Sequence, residues 1–441
     1  AGLTSVADWI GSNPEWFPLG ERHALLAEHH ADACARADQA LREIGWRPFQ
    51  SLLAAPATAD QLIAQIVQRP ELTARPLQAE ADRLLDGVQG PALLLVEAPM
   101  GEGKTELAFL AHLRLQAANQ HRGLYVALPT QATGNALFSR ALTFLHGFSG
   151  DTALDVQLVH GGAGLNEQVL ALRGIYGAEG ESVSSSAWFS QRRRPLLSPY
   201  GVGTVDQALF ATLNVKHHFV RLWGLSNRVV VLDEVHAYDT YTSGLIEALL
   251  RWLRAMGSSV VLMSATLPAP RRYALLRAWG VAPETAPELS YPRLLLADAR
   301  GVAGGTCDSR PLPPIHLQAV AEDIDSLVAK ASELVEQGGC GALIVNTVDR
   351  AQSLYLKLKA ELADAVPLLL FHARFPADQR SQQEQAVLAR FGQSGERPAK
   401  ALLIATQVAE QSLDIDFDFM LTDLAPVDLI LQRAGRRSEE H

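Results

Sequence analysis

Cysteine is scarce: Cys34, Cys307 and Cys340 are far apart and odd in number, so no disulfide framework is implied. That usage fits a reducing compartment and leads to the expectation of a cytoplasmic protein. No Cys/His group has the spacing of a zinc site. Long apolar runs are missing too, none approaching the ~20 residues that cross a bilayer, so no membrane partner is expected. Ala1–Ile10 contains Asp8 and lacks a basic leader segment, which speaks against a signal peptide there. Positive charge is also short. With 38 Lys and Arg against 48 Asp and Glu the formal net charge is −10, so nucleic acid can be held only in a local groove, not by bulk charge.

What is present points first to a nucleoside triphosphate. The apolar run Leu93–Val96 reads as a buried strand, and Thr105–Gln120 as a helix. Between them lies Glu97-Ala-Pro-Met-Gly-Glu-Gly-Lys-Thr105, a strand–turn–helix cradle of backbone N–H groups for phosphate oxygens. Gly101 and Gly103 let the backbone close where a side chain would collide. Lys104 supplies a cation to the β- and γ-phosphates, and the Thr105 hydroxyl can ligate Mg²⁺. Ala98 replaces the first glycine of the general pattern. A second apolar strand, Val229–Leu232, ends in Asp233-Glu234-Val235-His236. Acidic residues at the C-terminal end of a parallel strand face the ligand crevice, with Asp233 suited to Mg²⁺ and Glu234 to the attacking water. A lone Asp-Glu pair often only caps the next helix. Together with the P-loop and Ser264-Ala-Thr266 after a further strand, this pair defines an NTPase.

The expected fold is α/β, with two tandem RecA-like parallel-sheet domains preceded by a short helical segment. Residues 1–45 are helical in character, begin without methionine and look like the end of something longer. Residues 46–70, punctuated by Pro48, Pro56 and Pro70, read as a connector. Residues 71–300 form the first domain, and 301–441 the second, with Gly180–Ser186 as a loop and Gly301–Pro314 as the junction.

The remaining motifs resemble those of superfamily 2 helicases, in the same order. Arg75-Pro-Leu-Gln78 resembles the adenine-reading Gln motif. Pro129-Thr130-Gln131 and Gly203-Thr204-Val-Asp-Gln207 stand where the family contacts the nucleic-acid backbone, as do Asn346-Thr347 and Thr406. Thr406-Gln through Gln411-Ser-Leu-Asp414 resembles motif V, which faces nucleic acid and ribose. Gln432-Arg433-Ala-Gly-Arg436 resembles motif VI, whose arginines approach the γ-phosphate. Taken singly, Gln78 reads equally as an exposed helix residue and Thr406 as a strand-end cap; their joint order excludes chance. One departure stands out: Glu439 occupies the place of the family's next arginine, and the chain stops at His441. A truncated end, a segment missing near Arg437 and a nonfunctional finger all fit, and the intact neighbouring motifs favour missing chain.

Longer phrases narrow the resemblance. Thr204-Val-Asp-Gln-Ala-Leu209, Val215-Lys-His-His-Phe219, Asp233-Glu-Val-His-Ala-Tyr-Asp239 and Phe371-His-Ala-Arg-Phe375 are similar to the CRISPR-associated helicase–nuclease of type I systems, over nearly the whole chain. The resemblance implies an ATP- and Mg²⁺-dependent 3′–5′ single-stranded DNA translocase. It implies recruitment by a guide-RNA surveillance complex (Cascade) to the displaced target strand. It also implies an N-terminal HD nuclease holding two transition-metal ions, and Asp8, in Ala1–Ser12, matches its final aspartate ligand. The other HD ligands are absent, so metal-dependent cleavage is expected only with a complete HD domain. Arg192-Arg193-Arg194 beside Trp188 reads as a phosphate grip with a base-stacking ring. Lys216–His218 reads as packing rather than a zinc site, and Trp223 and Trp252 read as core. The rival readings are a general superfamily 2 RNA helicase and an ATP-gated binding scaffold with weak turnover.

Overall fold

The structure, a computed structural model, describes residues 1–19, 25–46, 49–129, 131–149, 154–159, 183–184, 187–190, 194–235, 240–308, 315–363, 365–392, 397–409 and 415–435. The chain divides into two compact units, Ala1–Ser309 and Arg310–His441.

The strands of the first unit are β1 (Leu93–Glu97), β2 (Leu124–Leu128), β3 (Leu154–Val159), β4 (Val183–Ser184), β5 (Tyr200–Thr204), β6 (Val229–Leu232), β7 (Ser259–Ser264), β8 (Arg293–Asp298) and β9 (Gly301–Thr306). They join in the order β4-β3-β5-β2-β6-β7-β1-β8-β9. The strands from β1 to β7 run parallel; β8 and β9 add antiparallel at the β1 edge. Continuous apolar strands of this kind need helices on both faces. Along β1, Leu94 and Val96 face a cluster with Leu77, Leu107 and Phe138. Leu93 and Leu95 face the other way, onto Ile246, Leu249 and Leu275. The first cluster draws on α3 (Ala59–Val67), α4 (Pro76–Leu85), α5 (Lys104–Asn119) and α6 (Gln131–Ser149); the second on α7 (Val205–Leu209), α8 (His218–Leu225), α9 (Thr240–Ala255) and α10 (Ala269–Ala278). The N-terminal helices α1 (Gly2–Gly11) and α2 (Leu26–Ile44) bring Val6, Ile10, Ala40 and Ile44 against Trp188, Phe189, Leu197 and Val220.

The second unit holds a parallel sheet of β10 (Gly339–Ile344), β11 (Leu368–Phe371), β12 (Lys400–Ala405) and β13 (Phe419–Thr422), in the order β11-β12-β10-β13. Helices α11 (Ile324–Glu336) and α12 (Val348–Leu362) cover one face through Val328, Ala331, Leu354 and Leu358. On the other face α13 (Ala377–Phe391) brings Val387 and Phe391 against Ala342 and Leu403. The last helix described is α14 (Val427–Ala434). Two tandem α/β units with parallel sheets, preceded by helices, are the expected architecture.

Three local readings differ from expectation. Residues 46–70, read as a connector, contain α3, which is closed by a Thr58–Gln61 capping box and buries Leu62, Ile63 and Ile66 in the first core. Its flanking Pro56 and Pro70 delimit a helix and do not mark a linker. Gly301–Thr306, read as the start of the second domain, is β9 of the first sheet, so the units separate at 309/310 and not at 300/301. Its glycines permit close approach: a Cβ on Gly305 would lie 1.7 Å from Glu80 Oε1, and one on Gly304 2.5 Å from Leu289 Cδ1. Within the stretch Gly180–Ser186, read as a loop, Val183–Ser184 forms β4; the rest lies outside the described residues.

Candidate nucleotide-binding site

Apart from Gln78, on α4 ahead of β1, and Asp8, on α1, the described candidate residues of the first unit sit at, or just after, the C-terminal ends of parallel strands or on the helices that follow, the edge where such sheets bind ligands. The P-loop follows β1, Pro129 follows β2, Thr204 ends β5, Asp233 follows β6 and Ser264 ends β7.

In the P-loop, Gly101 (φ +82°) and Gly103 (φ +75°) occupy the left-handed region, as the turn requires. Lys104 opens α5, and its Nζ donates to the carbonyls of Ala98 (2.9 Å) and Pro99 (2.8 Å). The ammonium is thus held over the loop's mouth, where phosphate oxygens can replace the carbonyls. Gln78 is buried, against the exposed reading. Its Oε1 accepts from Arg75 N (2.9 Å) and its Nε2 donates to Gly103 O (3.1 Å), while Arg75 donates to Gly101 O. The Gln motif therefore braces the loop from α4. A Cβ on Gly103 would fall 2.4 Å from Gln78 Nε2.

Asp233 N donates to Ala127 O (3.1 Å), tying the acidic pair to β2, and Asp233 Oδ1 accepts from Glu234 N (2.9 Å). Glu234 has φ +51°, a costly conformation for a non-glycine residue and one that accumulates at functional sites. Ser264 O accepts from Ala98 N (3.2 Å), so the Ser-Ala-Thr segment abuts the P-loop, and Ser264 Oγ donates to Thr266 O (2.6 Å). The hydroxyl of Thr105 and the carboxylate of Asp233 are hard oxygen donors of the type Mg²⁺ prefers, and the pair fits that ion. The HD pair of transition metals has no such fit. Asp8 is exposed, with Ser12 Oγ donating to it (3.3 Å), and among the described residues no three His, Cys, Asp or Glu are grouped so as to hold a metal ion.

A buried ionic group went unseen in the sequence. Glu97, at 2% exposure, ends β1 and pairs with Arg272 of α10 (2.9 Å) and Arg293 of β8 (3.2 Å). Its only sequence signal is a charge inside a strand that is otherwise apolar. Alongside α4 lies a cavity of about 670 Å³ whose lining includes Pro76, Ala79, Glu80, Tyr291, Thr306 and Cys307. Tyr291 Oη donates to Ala265 O (3.0 Å). Burial, then the charges of Glu97 and Glu102, push its phenol up to about 12. Burial, then Glu102 and Glu80, push Cys307 up to about 11.

Of the candidate nucleic-acid contacts, Thr204 is buried and its carbonyl accepts from Tyr125 Oη (3.1 Å). Gln207 Oε1 accepts from Arg221 Nη1 (2.9 Å). Thr130 and Arg193 lie outside the described residues, as do His236–Asp239; Gln131 is described as the first residue of α6. Trp188 is not a free stacking ring. It is 8% exposed, with the Arg194 guanidinium 4.4 Å above it and 5.4 Å from the ring of Trp9. His217 packs on Trp9 at 5.9 Å, as its packing reading has it, and Trp223 joins the same aromatic cluster. Trp252, read as core, is 50% exposed, because it lies to one side of the α9 face that buries Ile246, Leu249, Leu250 and Leu253.

The second unit repeats the arrangement at its own strand ends. Asn346, after β10, is held by Asp423 (N to Oδ2, 2.9 Å), Leu424 O (Nδ2, 3.0 Å) and Gln407 (Nε2 to Oδ1, 3.3 Å). Thr347 caps α12, accepting from Arg350 N (3.3 Å). Thr406, after β12, is buried and donates its N–H to Phe371 O (3.2 Å). Arg433 is 1% exposed; its Nη1 donates to Asp423 O (2.9 Å) and to Thr422 Oγ1. The guanidinium is packed on the end of β13 and is not presented as a free finger. Gln432 lies on α14, while Asp414, Arg436 and Glu439 lie outside the described residues.

A P-loop and an acidic pair on one parallel sheet, followed by a second sheet with polar motifs at the same ends, define the two-lobed helicase class. Residues 75–273 match the model of the DEAD/DEAH box helicase family, and residues 337–439 that of the CRISPR-associated nuclease/helicase Cas3 C-terminal region. The chain is 46% identical, over 498 aligned residues, to the CRISPR-associated endonuclease/helicase Cas3 of Thermus thermophilus, with 100% of this chain and 52% of the relative covered. Among solved structures, T. fusca Cas3-ATP matches with TM-score 0.84 and 36% identity, over 99% of this chain and 51% of that one. A chain of a CRISPR RNA-guided surveillance complex, pre-nicking, matches with TM-score 0.69 and 34% identity, over 99% and 48%. This chain belongs to the Cas3 family. It spans about half the length of the curated relatives it matches.

Proposed function

We propose that the chain is the ATP-driven motor of a type I CRISPR interference enzyme, a 3′–5′ single-stranded DNA translocase recruited by the guide-RNA surveillance complex to the displaced target strand. The observation that carries this reading is the gathering of P-loop, acidic pair and Ser-Ala-Thr segment at one sheet edge, on a chain whose relatives are nuclease/helicases. Support for ATP comes from the similar T. fusca protein solved with it, and for the guide-RNA partner from the similar chain in a surveillance complex.

In this reading Lys104 leaves the carbonyls of Ala98 and Pro99 for the β- and γ-phosphates, while the loop's N–H groups take the remaining oxygens. Thr105 and Asp233 would hold Mg²⁺, which neutralises developing phosphate charge when bound. Glu234 orients and deprotonates the attacking water. Gln78 keeps one lone pair and one N–H for the adenine edge, beside the cavity along α4 that receives the base. Arg433 and Arg436 serve the γ-phosphate, Arg433 after release from Asp423 O. Asp414 and Gln432 belong with the ribose and nucleotide contacts. Pro129, Thr130, Gln131, Arg193, Thr204, Gln207, Asn346, Thr347 and Thr406 make up the strand-binding track. Asp8 would supply one ligand to the metal pair of a complete HD domain, whose other ligands the present sequence does not contain.

The test is ATP hydrolysis with and without single-stranded DNA, with RNA as competitor and Lys104→Ala as control. DNA-stimulated turnover that disappears in the variant is expected. Preference for RNA of matched sequence would favour a general RNA helicase, through 2′-OH contacts. Tight DNA binding without turnover would favour the nucleotide-gated scaffold.

A further inference from the structure

One side chain joins the Ser-Ala-Thr segment to the cavity along α4. β8 runs antiparallel to β1 with Arg293 opposite Glu97, so Tyr291, just ahead of β8, lies at the P-loop end of the sheet. In the order β7-β1-β8 its partner Ala265, just after β7, stands on the far side of β1. The bond from Tyr291 Oη to Ala265 O (3.0 Å) therefore crosses the strand that leads into the P-loop. A second link makes the same crossing: Arg293 of β8, Glu97 of β1 and Arg272 of α10, the helix after the Ser-Ala-Thr segment. That link is shut away, with Glu97 2% exposed, whereas Tyr291 is 45% exposed and lines the cavity. Of the two links, only the tyrosine can meet a ligand there.

From Ala265 the backbone leads to the phosphate cradle. Ser264 O accepts from Ala98 N (3.2 Å), and Ala98 O accepts from Lys104 Nζ (2.9 Å). A wall of the cavity is thus joined, bond by bond, to the carbonyl that Lys104 leaves for phosphate. Burial first, then the charges of Glu97 and Glu102, push the phenol up to about 12, so Tyr291 keeps its proton and goes on donating throughout the neutral range.

The lining selects the ligand. A volume of about 670 Å³ is that of a small-molecule site. Pro76 and Ala79 of α4, Pro292 and the Tyr291 ring offer apolar surface to a flat ring. Arg83 is bonded to Glu80 (2.6 Å), and Asp308 adds a further carboxylate. Phosphate is disfavoured beside those acids, whereas a neutral base with an amino group can donate to them. We propose that Tyr291 is the base-sensing residue of the nucleotide site: an amino-bearing nucleobase seats on its ring, and its hydroxyl passes that contact through Ala265 to the P-loop. The proposal rests on the reading of this cavity as the place of the base, and adds to it the residue that makes base and phosphate binding interdependent.

The test compares the unaltered protein, Tyr291→Phe, Tyr291→Leu and Gln78→Ala in DNA-stimulated hydrolysis of ATP and of UTP, whose base has no amino group. The unaltered protein is expected to favour ATP in both KM and kcat. Tyr291→Phe keeps the ring and loses the bond, so KM for ATP should hold within about twofold while kcat falls roughly tenfold, toward the value for UTP. Tyr291→Leu loses the ring as well, and KM for ATP should rise by about tenfold. A purely structural side chain would not split KM from kcat in this way. Unchanged kcat in Tyr291→Phe, or unchanged KM in Tyr291→Leu, overturns the proposal. A base preference that Gln78→Ala abolishes and both Tyr291 variants retain overturns it too, and leaves the reading of the cavity standing. No base preference in the unaltered protein overturns that reading, and the proposal with it. Should turnover be too slow to follow, displacement of a fluorescent nucleotide decides: the ATP-to-UTP affinity ratio should fall about tenfold in Tyr291→Leu, and an unchanged ratio overturns the proposal.

Discussion

The two ends of the first sheet treat polar side chains in opposite ways. At the C-terminal ends of the strands, Lys104 rests on backbone carbonyls that phosphate can replace, Glu234 takes a left-handed backbone, and glycine opens the loop. Those groups are held ready to exchange partners. At the N-terminal ends, His112, His121 and Arg228 are enclosed and cannot exchange anything with solvent, while Arg122 is half-buried. His121 bonds Ser259 Oγ (2.7 Å) and Asn227 Oδ1 (3.0 Å), locking the entries to β2 and β7. The lesson is that burial of charge in this fold marks bracing, and partial exposure with strained backbone marks chemistry. Glu97 is the exception: a buried carboxylate on the functional edge, fixed between two arginines.

Glu97 is therefore where the contrast breaks most easily. Glu97→Ala leaves Arg272 and Arg293 without their anion and is expected to destabilise the first unit by about 3–5 kcal/mol, read by chemical denaturation. A change below 1 kcal/mol would show that the three charges do not act as a unit. Lys104→Ala is expected to cut ATP turnover by roughly 10²–10³-fold, of order 3–4 kcal/mol in the transition state, with the unfolding midpoint nearly unchanged. Steady-state hydrolysis and a melting curve on the same sample separate the two effects.

The enclosed histidines sharpen the comparison through pH. Against an ordinary value of 6.5, burial holds His112 down to about 3 and His121 to about 4, so the folded state refuses protons that the unfolded chain takes up. Their contribution to stability is complete above pH 6.5 and is lost as pH falls toward 4 and then 3. Each is expected to add a slope of up to about 1.4 kcal/mol per pH unit in that window. Denaturation curves taken across it, with His112→Phe flattening the dependence, are the check. Smaller still, Thr58→Ala removes the cap of α3 and should cost about 1 kcal/mol. Trp252→Ser, on the exposed face of α9, should stay within about 0.5 kcal/mol of the parent.

Much of this was legible in the chain. Leu93–Val96, Val229–Leu232 and Val260–Met263 are apolar without interruption, which only a sheet covered on both faces allows, and the polar residues after them mark one edge. Less legible were features made by distant partners. Glu97 reads as the first residue of the phosphate-cradle stretch, and its pairing with Arg272 and Arg293, 175 residues away and beyond, is invisible in local sequence. The glycines of β9 look like a linker because their purpose, close approach to Glu80, is invisible in local sequence. Trp188 beside three arginines suggests a stacking surface, whereas Trp9 and Trp46 from the N-terminal helical segment enclose it. Residue type alone suggests core for Trp252; the helical period of α9, with Leu249 and Leu253 inward, leaves it at the exposed margin.

The brace between Gln78 and the P-loop has an evolutionary reading. The amide nitrogen fills the space that a Cβ at position 103 would occupy, 2.4 Å away, and the loop's left-handed φ adds a second barrier. Positions 78 and 103 thus form one inherited character and not two. A lineage that drifts away from glycine at 103 must shorten or lose the glutamine at 78 in the same step, and with it the link from α4 to the phosphate cradle. Intermediates carrying only the first change should be rare in any collection of relatives.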